Sequence, residues 1–347
     1  MSTVDVVIPC YNYARYLSGC VSSILSQPRV DVRILIIDDA SSDETPIVGR
    51  ALAVADSRIT FRRHQTNHGH IATYNEGLID WSTADYSVLL SADDLLAPGC
   101  LDRAVSIMDA APNIGMVYGR TIHFERESDL PEIDPHCSGF RRWSGADWLR
   151  LRCRAGYNVI TSPEVVVRGE IQRAAGGYRP ELPHAGDLEM WLRIAALADI
   201  AYVNRIPQAF YRVHPESMMR TVYRGSFFDL RQRKAAFDSF FQHDAASIAN
   251  ARDLRNLANR SLAREALWDA CRAYDRNEVA VCHVEELVDF AITAYPNATS
   301  LPEYAALRRR KWLGPVVCNR TQIFAAPALL RKVQRAALKQ RWKHQGV

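Results

Sequence analysis

Apolar positions in the first third of the chain alternate between two rhythms. Short runs of apolar and β-branched residues occur at 4–9 (VDVVIP), 32–37 (VRILII), 58–64 (RITFRRH), 86–92 (YSVLLSA) and 114–124 (IGMVYGRTIHF). Each reads as a strand, and the unbroken apolarity of 32–37 predicts burial on both faces. Between them lie helical patterns. Residues 15–27 place Leu17, Val21, Ile24 and Leu25 at helical spacing, and 71–82 and 100–111 read the same way. The segment 42–55 opens with Ser, acids and Pro, as a helix start should. Strands alternating with helices predict an α/β fold with a largely parallel sheet.

The pattern then changes. Residues 125–224 are mixed, with a strand expected at 162–171 and a helix at 186–198. That helix carries Met190, Trp191, Ile194 and Leu197 on one side, which reads as core rather than as a platform for a sugar ring. From 225 Pro and Gly nearly vanish and helical patterns run to about 293, followed by a short helical piece at 302–311, a turn within 312–317 and a basic helix at 326–343. The expected division is an α/β domain over 1–224 and a helical C-terminal region over 225–347.

Composition narrows the class. In 347 residues, 48% are hydrophobic, enough for a sizeable core, and 24% are charged, which argues against bulk disorder. The cysteines at 10, 20, 100, 137, 153, 271, 282 and 318 form no Cys-x-x-Cys pair, so free thiols and a cytoplasmic protein are expected. The N-terminus has no basic segment followed by a long apolar one, so no signal peptide is expected. No uncharged run approaches the ~20 residues that span a bilayer. The net charge of +4 conceals an asymmetry: residues 301–347 carry eleven Lys/Arg and one acid, so the first 300 residues carry −6.

Chemistry gathers where the strands end. The run at 32–37 stops at Asp38–Asp39, the run at 86–92 stops at Asp93–Asp94, and the first strand runs into PCYN at 9–12. Ligands of parallel α/β sheets bind beyond the carboxyl ends of the strands. One Asp of each pair is suited to cap the following helix. A second adjacent carboxylate exceeds what a cap needs and suits Mn²⁺ or Mg²⁺, which fill the rest of their shell with phosphate oxygens and water. The histidines of RHQTNHGH (63–70) are irregularly spaced and lack cysteine, which argues against zinc.

Four segments together, VVIPCYNYARYLSGCVSSILSQ, ILIIDDASSDET, NHGHIATYNEG and LLSADD, resemble the family 2 glycosyltransferases with the GT-A fold. The resemblance covers roughly 3–125 and resumes at GGYRPELPHAGDLEMWLRIA and YRVHPESMM. It implies a Rossmann-like, mostly parallel sheet flanked by helices, here with a helical C-terminal extension. The implied activity is inverting transfer from a nucleotide-diphosphate sugar, foremost a UDP-sugar, to a hydroxyl of a saccharide or lipid-linked saccharide in surface-glycan assembly. It implies that Pro9, Tyr11 and Asn12 line the base pocket and that Asp39 accepts from the imide N–H of a uracil-like base. Asn67, Gly69 and Asn75 would border the nucleotide. Asp94 would ligate the metal, with Asp93 on ribose or metal and His214 on metal or diphosphate. Ser91 and Gly186 stand where the family often has acids, and Tyr74 where it often has Arg or an apolar residue.

Inverting transfer needs a base for the acceptor hydroxyl. Asp187 occupies the place of the family's acid and is the candidate, although it is equally suited to charge the first turn of its helix. Glu189, two residues on, would point roughly 160° away. His184, Asn158, Thr161 and Ser162 are candidates for contact with the acceptor. Two rival readings are a nucleotidyltransferase, for which PCYNYARYL lacks the phosphate-cradling glycines, and a non-catalytic module that binds nucleotide or glycan or acts as a scaffold. In the basic helix, Leu329, Leu330, Val333, Ala337 and Leu338 share one side, with Arg331, Lys332, Arg335, Lys339, Arg341 and Lys343 over the rest and Trp342 near the end. This suits either an anionic membrane surface, making the protein peripheral there, or docking on the body or a second subunit of a homo-oligomer. No nucleic-acid motif accompanies the charge, so no nucleic-acid partner is expected.

Overall fold

A computed structural model of the chain describes residues 1–134, 139–214 and 225–347. Residues 215–219 of the YRVHPESMM segment and Cys137 lie outside them. In the amino-terminal half, β1 (Thr3–Cys10), β2 (Asp31–Asp38), β3 (Ile59–Arg63) and β4 (Tyr86–Leu89) pair in parallel in the order β3-β2-β1-β4. The connecting helices are α1 (Ala14–Leu25), α2 (Thr45–Ala55) and α3 (His70–Asn75), the last widening into a π-helical turn at Glu76–Trp81. Cys10 pairs with Asp38 and Val7 with Leu89, so the carboxyl ends of β1, β2 and β4 reach one edge.

The sheet continues through β5 (Leu95–Leu96), β6 (Ile114–Phe124), β7 (Phe140–Trp143), β8 (Val166–Arg168) and β9 (Asp199–Arg212) in the order β4-β8-β6-β9-β5, with β7 on β9. The helices of this half are α4 (Cys100–Ala110), α5 (Gly145–Ala155), α6 (Gly169–Ala175) and α7 (Gly186–Leu197). β6 and β9 are parallel, whereas β8 runs antiparallel to both β4 and β6.

Two expectations need correction, and one strand escaped the sequence pattern. The strand expected at 162–171 shrinks to Val166–Arg168, because Gly169 opens α6 with its N–H on Asp85 O at 2.7 Å. Leu197 ends α7 and is 50% exposed instead of sharing the buried side with Met190, Trp191 and Ile194. The 14-residue β9 escaped the sequence pattern because it contains Pro207 and Arg205 at φ +64°, and its register against β6 slips there. Proline lacks the ladder N–H and is tolerated at such an irregularity.

The core is the apolar interior of β1, β2, β4, α1 and α4, including Val6, Ile8, Ile34, Ile36, Leu17, Ile24 and Leu101. Asp5, fully buried in β1, is satisfied by the Arg33 guanidinium at 2.8 and 2.7 Å and by the N–H groups of Thr83 and Ala84. Two compact units emerge: residues 1–148, 158–221 and 344–346, and residues 149–157, 222–343 and 347. Thus 149–157 groups with the second unit, whereas the sequence pattern assigned all of 1–224 to the first.

The second unit consists largely of α8 (Ser226–His243), α9 (Ala251–Arg276), α10 (Val284–Ala294), α11 (Pro302–Leu313), α12 (Pro315–Thr321) and most of α13 (Ala325–Gln345). Gly314, at φ +80°, separates α11 from α12 where the turn was expected. Buried Arg310 pairs with Asp275 at 2.8 and 3.0 Å, and Arg233 joins Asp229, Glu265 and the carbonyl of Gly156. Among the described residues no helix is long and apolar enough to cross a membrane.

Gly77 sets how closely the turn after α3 approaches β1. A Cβ there would lie 2.1 Å from Val7 Cγ1. Gly77→Ala gains up to ~1 kcal/mol of helix propensity. Overpacking costs about 1–3 kcal/mol and wins. The urea midpoint should fall, and an unchanged or raised midpoint would contradict this packing.

Candidate active site

Three loops meet at the edge where β1, β2 and β4 end. Asn12, at φ +59°, follows β1; its N–H donates to Ser41 Oγ at 2.9 Å and its Oδ1 accepts from Ser42 N at 2.8 Å. The acids after β2 divide their work. Asp38 accepts from Ser41 N at 2.9 Å and faces Arg63 at 3.2 Å, so it closes the turn. Asp39 accepts instead from the N–H groups of His68 at 2.8 Å and Gly69 at 2.9 Å, and bonds His64 Nδ1 at 2.7 Å. Gly69 sits at φ +83°, a conformation that favours glycine, and Asn67 Oδ1 also accepts from its N–H at 3.0 Å. Asp39, Asn67 and Gly69 are therefore brought together. Pro9 is half-buried at the end of β1 and Tyr11 is 49% exposed beyond it. Asn75 faces a different neighbour: its amide donates to Tyr178 O at 2.8 Å and accepts from Tyr178 N at 2.6 Å.

His64 was not singled out by sequence. Its Nε2 bonds Glu76 Oε2 at 2.7 Å, so both ring nitrogens meet carboxylates. Only an imidazolium donates from both. Burial lowers its pKa, but the bonds to Asp39 and Glu76 outweigh this and raise it above the usual 6.5.

Asp93 and Asp94 end the loop after β4, in a turn closed by Asp94 N–H on Ser91 O at 3.0 Å. Both are buried. Asp93 Oδ2 bonds His214 Nε2 at 3.0 Å, and Asp94 Oδ1 accepts from the backbone N–H of Arg212 at 2.9 Å. Burial, then the charge of Asp93, pushes the Asp94 carboxyl well above the usual range. Arg212 also donates from Nε to Asp93 O at 2.9 Å and from its guanidinium to Glu127 at 2.5 Å, sandwiched between the Tyr16 and Phe124 rings, each 4.4 Å away. His214 packs against Tyr13 and Tyr16, and its buried Nδ1 has no hydrogen-bond partner among the described residues. Among the described residues no group of three or more His, Cys, Asp or Glu is gathered as a metal cage. Two adjacent buried carboxylates, Asp94 with raised proton affinity, beside an orphaned imidazole nitrogen fit a divalent cation that takes most of its shell from phosphate and water.

The third part lies at the start of α7. Asp187 is half-buried and its Oδ2 accepts from Ser162 Oγ at 2.5 Å. Burial raises its carboxyl above the usual 3.8, against the opposing hydrogen bonds from Ser162 and Tyr178. Ser162 holds the strained φ of +91°. The turn around it is fixed by buried Glu164, which accepts from Thr161 N at 2.8 Å and whose carboxyl burial pushes up to about 7. The rings of His70, Tyr74 and Tyr178 follow one another edge to face at 5.4 Å. Glu189 is fully buried between Arg179 at 2.6 Å and Arg193 at 2.9 Å, which makes it structural. Arg212 was within reach of sequence reasoning, since it stands two residues before His214 in YRVH. Ser162, expected only as a contact to the acceptor, bonds Asp187 instead, and Glu164 left no signal in the sequence.

The sequence profile of the Glycosyl transferase family 2 matches residues 5–162. The segment 5–162 thus carries this family's domain. An uncharacterized glycosyltransferase of Nostoc sp. is 32% identical over 116 residues, 33% of this chain and 35% of that relative, so the chain spans about a third of its length. Among solved structures, Staphylococcus aureus TarS 1–349 in complex with UDP-GlcNAc has a TM-score of 0.63 at 14% identity, covering 94% of this chain and 92% of that one. The mannosyltransferase PcManGT of Pyrobaculum calidifontis, in complex with GDP-Man and Mn²⁺, has a TM-score of 0.54 at 19% identity, covering 95% and 86%. The chain thus has the GT-A-type fold expected from the resemblance.

The His64 bridge makes stability depend on pH. His64→Gln should cost about 1.5–3 kcal/mol per charged hydrogen bond lost. Because the folded pKa is raised, the wild-type advantage is complete below the unfolded value of about 6.5 and declines as pH rises through the folded value. Urea titrations of both proteins at several pH values check this; a constant difference across the range would refute it.

Proposed function

We propose that this protein is an inverting hexosyltransferase that moves a sugar from a nucleotide-diphosphate donor, foremost a UDP-sugar, to a hydroxyl of a saccharide or lipid-linked saccharide. The observation that carries the reading is Asp187: a carboxyl of raised pKa, held by Ser162 and Tyr178, in the same compact unit as the Asp93–Asp94 pair. Inversion needs a base for the incoming hydroxyl and neutralisation of the departing diphosphate, and the two groups of acids supply one each.

In this reading the oxygens of Asp39 accept from the base, with Pro9, Tyr11, Asn12, Asn67 and Gly69 around the nucleotide. Asn75 acts at one remove by holding Tyr178. Asp187 removes the proton from the acceptor hydroxyl as it attacks the anomeric carbon, and Ser162 keeps the carboxylate aimed. Asp94, with Asp93 and His214 beside it, would hold Mn²⁺ or Mg²⁺, which when bound supplies positive charge to the leaving diphosphate. Support comes from the neighbours' complexes with UDP-GlcNAc and with GDP-Man and Mn²⁺. The free thiols of Cys10, Cys20, Cys100, Cys153, Cys271, Cys282 and Cys318 suit a cytoplasmic setting.

Asp187→Asn should lower kcat by roughly 10²–10⁴-fold while donor binding persists. The kcat/KM of the wild type should rise with pH through a carboxyl pKa above 3.8 and then level off. A wild type that binds UDP with Mn²⁺ but neither transfers nor hydrolyses any donor would favour a binding module instead.

A thermal-shift screen of UDP-, dTDP- and GDP-sugars with and without Mn²⁺ tests the donor. Stabilisation by UDP- or dTDP-sugars that is lost in Asp39→Ala is expected. Stabilisation by GDP-sugars alone would refute the uracil-like assignment.

A further inference from the structure

The C-terminal helices expose apolar side chains that nothing in the fold covers. Of 16 large hydrophobic residues exposed among the described residues, eight fall within 312–338, a concentration that scattered surface residues do not produce. They include Trp312 at 85%, Ile323 at 61%, Leu329 at 61%, Leu330 at 59%, Val333 at 57% and Leu338 at 50% exposure. Leu329, Leu330 and Val333 of α13 lie within about 100° of one another around the helix, with Leu338 about 80° further round, so together they form a broad apolar stripe. The basic helix of the sequence pattern thus forms with its apolar side outward.

The charge along this stretch of the sequence has a single sign. No acid follows Glu303, and Lys332, Arg335, Lys339 and Arg341 accompany the stripe on α13. Two basic residues turn back to the second unit: Arg331 stacks over the Trp268 ring at 3.6 Å, and Arg335 reaches Glu265 at 3.4 Å. These contacts fasten α13 by part of its polar side.

We infer that α13, with the exposed apolar residues of 312–323, is a docking surface for an anionic phospholipid membrane, on which the helix lies in the plane of the headgroups. An interfacial helix needs an apolar face to bury and cations to meet anionic lipid, and α13 has both. A second copy of the chain is a poorer occupant. A two-fold interface would set this acid-free stretch against itself and bring like charges together. Nucleic acid would engage the cations and leave the leucines in water.

The test uses the full chain and reads vesicle binding without turnover. Wild type should co-sediment with vesicles of phosphatidylcholine and phosphatidylglycerol, not with phosphatidylcholine alone, and the binding should weaken as salt rises. The double variant Leu329→Asp with Val333→Asp, at exposed positions, should keep the wild-type melting temperature and lose vesicle binding. Lys332→Glu with Lys339→Glu should lose the preference for anionic vesicles. Equal sedimentation of wild type and the aspartate variant, or no binding to any vesicle, overturns the inference. So does a concentration-dependent dimer in light scattering that the aspartate variant abolishes while vesicles stay unbound.

Discussion

Burying two adjacent carboxylates is the constraint from which much of the candidate site follows. Asp93 and Asp94 cannot both ionise easily in a site shielded from water, and the raised proton affinity of Asp94 expresses this conflict. The fold answers with the end of β9. Arg212 gives Asp94 its backbone N–H, gives the Asp93 carbonyl its Nε, and brings a guanidinium charge held by Tyr16, Phe124 and Glu127. Two residues on, His214 bonds Asp93. A strand that departs from regular pairing at Pro207 and Arg205 still delivers both groups, because its final residues return to register with β6. One guanidinium leaves the two carboxylates short of full compensation, and in the proposed reading a divalent cation would supply the rest.

The same division recurs after β2. Asp38 is spent on the turn, which frees Asp39 from capping. Asp39 is then held by two backbone N–H groups and by His64, and Glu76 secures the far side of the imidazole. A carboxylate so restrained presents its remaining lone pairs in fixed directions, and pre-organisation of this kind lowers the entropy lost when a ligand's N–H is bound. Adjacent acids at a strand end therefore carry unlike duties: one builds the loop and its neighbour is displayed by it.

How far the sequence could be read follows from the range of the interactions involved. Strands β1 to β4 and helices α1 to α4 were legible because local periodicity and parallel pairing agree there. The paired acids were legible because they interrupt apolar runs. β9 was obscured by its own irregularity, and β8 by a glycine that begins a helix after three strand residues. The partners of the acids were harder still. His64 meets Glu76 across 12 residues, Ser162 meets Asp187 across 25, and Arg212 meets Asp94 across 118. No local pattern encodes such pairings. Asn75 shows the opposite case: its position suggested a place beside the nucleotide, while its amide is committed to the backbone of Tyr178.

Helix α7 separates a structural acid from the one proposed here as the base. Asp187 and Glu189 are two residues apart, so the helix aims them in opposite directions. Glu189 turns inward, where Arg179 and Arg193 neutralise it, and its burial without those partners would be prohibitive. Asp187 is half-buried and has hydroxyl groups, not cations, as its hydrogen-bond partners. Hydroxyls orient a carboxylate without removing its basicity, whereas a guanidinium would depress it. The strained Ser162 fits this account, since a positive φ in a serine persists only where surrounding contacts impose it. Here Glu164 fixes the turn, Ser162 orients Asp187, and the guanidinium groups of Arg179 and Arg193 pair with Glu189 rather than with Asp187.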